Sequence, residues 1–269
     1  MKKIICFLLT ILILASPGIT AYADEESDLT PDLIIERLLE GDEASETAED
    51  QAANGALRLA EMVVALDNIG IETQGEADHL NKILDMLFEV DVPEESFERK
   101  LAAGTMKTFE ALMIFQQQID PDGQFEDNLQ QVLDSFLAND EKVGGAKQQA
   151  VNGLYHSVLT TSLIVRGLSR TQAVAKQIDA ELEAFGKADK DGTGSDLEKL
   201  LLGSETLFRM LTAVVSVLDS GGGFSDAIRE LSENTYDADA ENDDALYRLA
   251  NWLYGCVYMT DLIAQEIEA

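Results

Sequence analysis

Residues 80–89 read LNKILDMLFE, and the fold turns on what repeats with them. Ile83, Leu84, Leu87 and Phe88 fall on one stripe of a helix, while Lys82, Asp85 and Glu89 take the opposite side. Forty-nine residues later the same positions hold Val132, Leu133, Phe136 and Leu137; forty-nine earlier they hold Ile34, Ile35, Leu38 and Leu39. A third recurrence keeps Ile178, Leu182 and Phe185, and a shorter fourth keeps Ile228 and Leu231. This amphipathic element is helix B.

Between the B helices lies a second recurring element, helix A. Gly55, Gly104 and Gly153 are spaced by 49 and Gly203 follows at 50, each near the start of a long apolar helical pattern. Two columns on that helix are apolar in every copy: Ala60, Phe109, Val158, Phe208 and Val257, then Leu66, Phe115, Ile164, Val214 and Ile263. Few charges interrupt the A helices, as suits an inner layer; the single stripe of B suits an outer one. A glycine costs about 1 kcal/mol of helix propensity relative to alanine. Its recurrence therefore points to close helix–helix approach. Trp252 takes its place in the fifth copy and is expected to cap a terminal repeat that has no successor.

The expected fold class is all-α, an array of antiparallel helical hairpins with a ~49-residue repeat, ordered B-(A-B)×4-A. Nine helices in an open α-solenoid are expected, with a closed α/α toroid as the alternative, because a leading B and a trailing A can complete a fifth hairpin. In general construction this resembles the α-hairpin solenoids of the HEAT and armadillo sort, without their motifs and with a slightly longer period. Local signals agree. Thr30 is placed to cap the first B helix with Pro31 at its first position, Gly41 to end it, and Ser195 with Glu198 to form a capping box before the fourth A helix.

Residues 1–23 stand apart from this pattern. Lys2 and Lys3 precede an apolar run from Ile4 to Ala15, Pro17 and Gly18 interrupt it, and Ala21-Tyr22-Ala23 has the small residues of a cleavage site. The run is too short for a permanent span, which needs about 20 residues. We expect a signal peptide over 1–23 and one helical domain over 24–269, secreted or periplasmic, without stable membrane insertion. Loss of the segment moves the net charge from −32 to −34 by removing Lys2 and Lys3. Nucleic acid is excluded as a partner at that charge; a basic protein, a metal ion or another cationic ligand is compatible with it, and so is a charge that simply keeps an exported protein soluble. With Cys6 removed, Cys256 has no partner for an intramolecular disulfide and is expected to be a buried thiol.

In a hairpin array all B-to-A turns emerge at one end. These turns include GDEASETAED, EVDVPEESFE, KADKDGTGSD and YDADAENDD, so one edge is lined with carboxylates. Within it Asp189, Asp191 and Thr193, with Gly194, are spaced like the first ligands of a calcium loop; position twelve is Leu200 where a bidentate Glu belongs, so weak calcium binding is the most this site would offer and no other cofactor is expected. Asp237, Asp239 and Glu241 have similar spacing without the glycine. Tyr247, Tyr254 and Tyr258 share one face of the last helix, a candidate partner-binding surface. No nucleophile or metalloprotease motif occurs, and only His79 and His156 are present. The expected function is a binding or scaffold module rather than an enzyme. A glycosidase-like hydrolase using paired carboxylates in a toroid is the alternative.

Overall fold

The computed structural model describes residues 29–268 apart from 71–72, 121, 170, 191–193 and 220, with backbone alone for 188–190. The expected signal peptide lies outside the described residues. Ten helices are present among those described: α1 Pro31–Ala44, α2 Ala48–Asn68, α3 Gln74–Val90, α4 Phe97–Ile119, α5 Glu126–Asp140, α6 Ala146–Leu168, α7 Gln172–Lys190, α8 Asp196–Leu218, α9 Ser225–Glu241 and α10 Ala245–Glu268. The chain is all-α. The expected count of nine is corrected to ten, which is what the order B-(A-B)×4-A itself sums to. Odd-numbered helices are the B elements and even-numbered ones the A elements.

Polar side chains start most of these helices, though not α5, α6 or α9, by satisfying backbone N–H groups that have no partner within the helix. The Thr30 hydroxyl accepts from the Leu33 amide with Pro31 at the first position, and Thr47 and Ser96 do the same for Asp50 and Arg99. Thr73 with Glu76 and Ser195 with Glu198 form reciprocal capping boxes. Two inner helices end in matching turns. The Asp120 carboxylate accepts from the Gln124 and Phe125 amides, and that of Asp219 from Gly223 and Phe224. Gly123 and Gly222 adopt positive φ in those turns, where a side chain would be strained. Gly41 does not end α1, which runs on to Ala44. It marks a close approach instead: a Cβ there would lie 2.5 Å from the Asn54 side chain.

The inner layer holds the core. No residue in the first apolar column is more than 1% exposed, and none in the second more than 5%. Burying a phenylalanine such as Phe109 or Phe208 contributes about 2–3 kcal/mol. The B stripes bury less completely. Ile34, Leu38, Ile83, Leu87 and Phe136 are buried, whereas Leu39, Phe88 and Leu137, at the edge of each stripe, remain exposed. An outer helix has packing partners on one side only, so the rim of its apolar stripe meets water.

Each inner helix packs on the next, α2 on α4, α4 on α6, α6 on α8 and α8 on α10. The recurring glycines sit at these crossings. A Cβ on Gly104 would be 2.5 Å from the Ala56 backbone, one on Gly153 2.7 Å from the Thr105–Met106 backbone, and one on Gly203 3.2 Å from Leu154 Cβ. Finally α10 returns to pack against α2, where a Cβ on Gly55 would lie 2.8 Å from Tyr254. The first and last inner helices therefore meet, where an open solenoid would hold them apart. Outer helices lie chiefly on the inner helix that follows them, α1 on α2, α3 on α4, α5 on α6 and α9 on α10, while α7 sits between α6 and α8.

This closure also corrects the capping role expected of Trp252. The fifth inner helix has a neighbour on both sides, and Trp252 is 1% exposed, packed on Phe208 and Tyr236 with its Nε1 donating to Asp239 at 2.7 Å. Gly255, one turn further along α10, takes over the close approach, since a Cβ there would be 3.0 Å from the Phe208 ring. Helix α8 has the length and hydropathy of a membrane-spanning segment, with 56% of that window buried within the protein.

Candidate binding surface

The B-to-A connections carry an aspartate in register in every copy: Asp42, Asp91, Asp140, Asp189 and Asp239. The four whose side chains are described each accept hydrogen bonds from an inner helix. Asp42 accepts from Gln51 Nε2 at 2.8 Å and Asp140 from Gln149 Nε2 at 3.5 Å. Asp239 is held by Arg248 at 2.9 and 3.1 Å and by Trp252. Asp91 takes its partners from the preceding copy, Arg58 and Arg37. In these four copies the column thus ties the end of the outer helix to the inner layer.

A second polar column reinforces that joint. Asn54 donates to the Leu38 carbonyl at 2.9 Å, Asn152 to Phe136 at 3.2 Å and Asn251 to Thr235 at 2.8 Å, each reaching back 16 residues. Neither column entered the sequence reading, because the repeat was traced through apolar residues alone. The signal was available: five aspartates at the repeat spacing, and three asparagines at twice that spacing.

Outside these joints the end is rich in carboxylates that form no ion pair among the described residues. Glu46, Glu94, Glu141, Asp243 and Asp244 are exposed and have no ion-pair partner among the described residues. The arginines here are already engaged. Arg99 pairs with Glu95 and Arg248 with Asp239, while Arg37 and Arg58 share Glu61 and Asp91. Burial pushes the Glu61 carboxyl upward, and the two guanidinium groups work against that shift. Arg37 also stands over the Phe88 ring, 5.2 Å from its centroid. The resulting surface is anionic, with its arginines engaged by carboxylates and Lys142 exposed beside Glu141.

The residues singled out from sequence distribute as follows. Helix α7 runs through Asp189 to Lys190, so the first candidate calcium ligand belongs to a helix end; Asp191 and Thr193 lie outside the described residues, as does the Asp189 side chain. Among the described residues no group of three His, Cys, Asp or Glu side chains is placed to hold a metal. Tyr247 is exposed. Tyr254 lies where α10 packs on α2, its hydroxyl donating to Asp42 at 3.1 Å and accepting from Asn54 at 3.3 Å. Tyr258 is half-buried beside it, and burial raises both hydroxyls above the usual tyrosine range.

The histidine and the thiol do not meet. His156 is buried, with Nδ1 2.8 Å from the Asn152 carbonyl, Nε2 3.2 Å from Ser135 Oγ and the rings of Phe109, Phe136 and Tyr155 around it. Cys256 is fully buried with Sγ directed at the Ser204 carbonyl, and burial pushes its thiol far up, so it is held as a neutral core residue. A crevice lined by Val151, Tyr155, Phe185, Lys199, Leu202 and Gly203 has about 10 Å³ of room, enough for a single water. Compared with known proteins, the chain matches no family model, no curated protein and no solved structure.

Proposed function

We propose that this is an exported binding module: five B–A hairpins arranged as an α/α toroid, with the B-to-A end presenting unpaired carboxylates to a basic protein partner. The observation that carries the reading is the imbalance at that end, where the arginines are consumed by structural carboxylates and exposed acids are left over. A surface of this kind attracts a cationic partner over about 8–10 Å at physiological salt and raises its on-rate. Export rests on the basic head, apolar run and small-residue cleavage site of residues 1–23, and places the partner in the periplasm or outside the cell. Tyr247 offers apolar area with a hydroxyl beside the acidic rim, a suitable anchor within an otherwise electrostatic interface.

The hydrolase alternative draws less support. It asks for two carboxyl groups flanking a cleft, roughly 5–9.5 Å apart. Glu61, buried and perturbed as a catalytic acid is, faces the outer layer and is clamped by Arg37 and Arg58.

The test is affinity capture from the periplasmic or extracellular fraction with the mature domain, followed by elution in rising salt. A basic protein that leaves the column as salt increases supports the proposal. Capture of acidic or neutral proteins whose binding ignores salt counts against it.

A further inference from the structure

Helix α1 carries Leu33 and Arg37 one turn apart on one flank, and α3 carries Asp85 and Phe88 in the same way. The two flanks face each other, because the Arg37 guanidinium stands over the Phe88 ring, 5.2 Å from its centroid. Both helices pack chiefly on inner helices rather than on one another, so a groove runs between them. Phe88 stands two residues before the end of α3, and the groove therefore opens onto the acidic B-to-A end.

Apolar side chains line this groove in the open. Leu33 is 40% exposed and Phe88 42%. The Phe88 ring is supported from one side, since Glu61 and Asp91 fix Arg37 at 3.0 and 3.2 Å. A side chain held this way loses little freedom when a partner covers it. Acids flank the apolar pair. Glu40 follows Arg37 by three residues and Asp85 precedes Phe88 by three. Both are exposed, and neither forms an ion pair among the described residues. Lys82, exposed on α3, pairs with neither of them.

We propose that the groove between α1 and α3 receives a basic amphipathic helix of the partner protein. Its apolar residues rest on Leu33 and Phe88, and its Lys or Arg residues face Glu40 and Asp85. The inference rests on the binding function proposed above and names the contact that makes that binding selective. Charge complementarity chooses the occupant. A second copy of the chain, at −32, would bring like charge to the same flanks. The form of the occupant follows from the helices on either side. They offer no sheet edge for an extended strand to join, whereas a groove between helices takes apolar side chains spaced at i, i+3, i+4 and i+7.

The probe is a synthetic Leu/Lys peptide of about 18 residues, five helical turns, with Leu at that spacing. Its binding to the mature chain is compared with that of a scrambled peptide of equal composition and of oligolysine, by fluorescence anisotropy. The wild type is expected to bind the amphipathic peptide at least about tenfold more tightly than the scrambled one. Phe88→Ala and Leu33→Ala should each remove most of that preference and leave oligolysine binding unchanged. Leu137→Ala, which truncates an apolar side chain 51% exposed on α5, should leave the preference intact. If Phe88→Ala does not fold, Leu33→Ala decides, since Leu33 lies outside the arginine cluster. Oligolysine binding without a preference for the amphipathic order overturns the groove and spares the anionic surface. Failure of oligolysine to bind overturns the binding reading itself and this inference with it. A preference that survives both groove variants, or that falls equally in Leu137→Ala, overturns the proposal. So does wild-type dimerisation that is lost in Phe88→Ala, because it would assign the groove to a second copy.

Discussion

The Tyr254 hydroxyl donates to Asp42 across 3.1 Å, joining residues 212 positions apart and fastening the last inner helix to the first outer one. Asn54, which also holds the Leu38 carbonyl, donates to the same hydroxyl. Tyr254→Phe keeps the ring and removes this junction. A partly buried hydrogen bond is worth about 1 kcal/mol. For a domain of this size the expected loss in Tm is about 2–4 °C. An unchanged midpoint would mean that closure does not depend on this contact.

The repeat glycines give a graded prediction. Gly104→Ala drives a methyl to 2.5 Å of the Ala56 backbone, which can yield only if two inner helices separate. A loss of about 2–3 kcal/mol is expected, in the range of overpacking. Gly203→Ala meets Leu154 Cβ at 3.2 Å, a contact that side-chain adjustment relieves, and the gain in helix propensity offsets much of the cost. Gly186, on outer helix α7, has nothing within 4 Å, and Gly186→Ala is expected to stabilise by about 0.5–1 kcal/mol. Chemical denaturation should rank the three in that order. Equal effects would break the link between glycine and helix approach.

His156 sets a pH dependence. Burial lowers its pKa below the ordinary 6.5, with the hydrogen bond to the Asn152 carbonyl opposing. The unfolded chain therefore binds the proton more readily than the folded one. The stability this contributes is fully present above pH 6.5 and is lost as pH falls below that value toward the folded pKa. Because carboxyl groups titrate over part of the same range, the useful quantity is a difference. The stability of wild type minus that of His156→Gln should fall between pH 7.5 and pH 5. A constant difference would show that the imidazole stays neutral in both states, or charges equally in both.

Much of this fold was legible in the apolar columns. Ala60, Phe109, Val158, Phe208 and Val257 could be aligned because an inner helix must bury the same face in each copy, and all five are buried. What the columns could not report is closure. Whether α10 meets α2 depends on the small rotation between successive hairpins, which no local pattern encodes. Trp252 misled for that reason. It occupies the glycine position by numbering, yet the close approach passes to Gly255 one turn away. Gly41 misled differently, since a glycine near a helix end reads as a terminator although Asn54 is what demands the missing side chain. The acidic edge followed from placing all B-to-A turns together. The aspartate and asparagine columns within it went unread because polar residues recur at fewer positions than apolar ones, and their partners lie on another helix.

The claim that one end of the ring is the binding surface is tested most directly by two variants of equal charge. One neutralises the B-to-A end with Glu46→Gln, Glu94→Gln, Glu141→Gln and Asp243→Asn; the other neutralises the A-to-B end with Asp78→Asn, Asp122→Asn, Glu126→Gln and Asp127→Asn, all of them exposed acids. The measurement is the affinity of each for the basic partner, by titration calorimetry across several salt concentrations. The first variant is expected to bind at least about tenfold more weakly, a change of about 1.4 kcal/mol, with a shallower salt dependence, while the second binds as the wild type does. Equal weakening in both variants would show that binding follows net charge rather than this end of the ring, and would contradict the account.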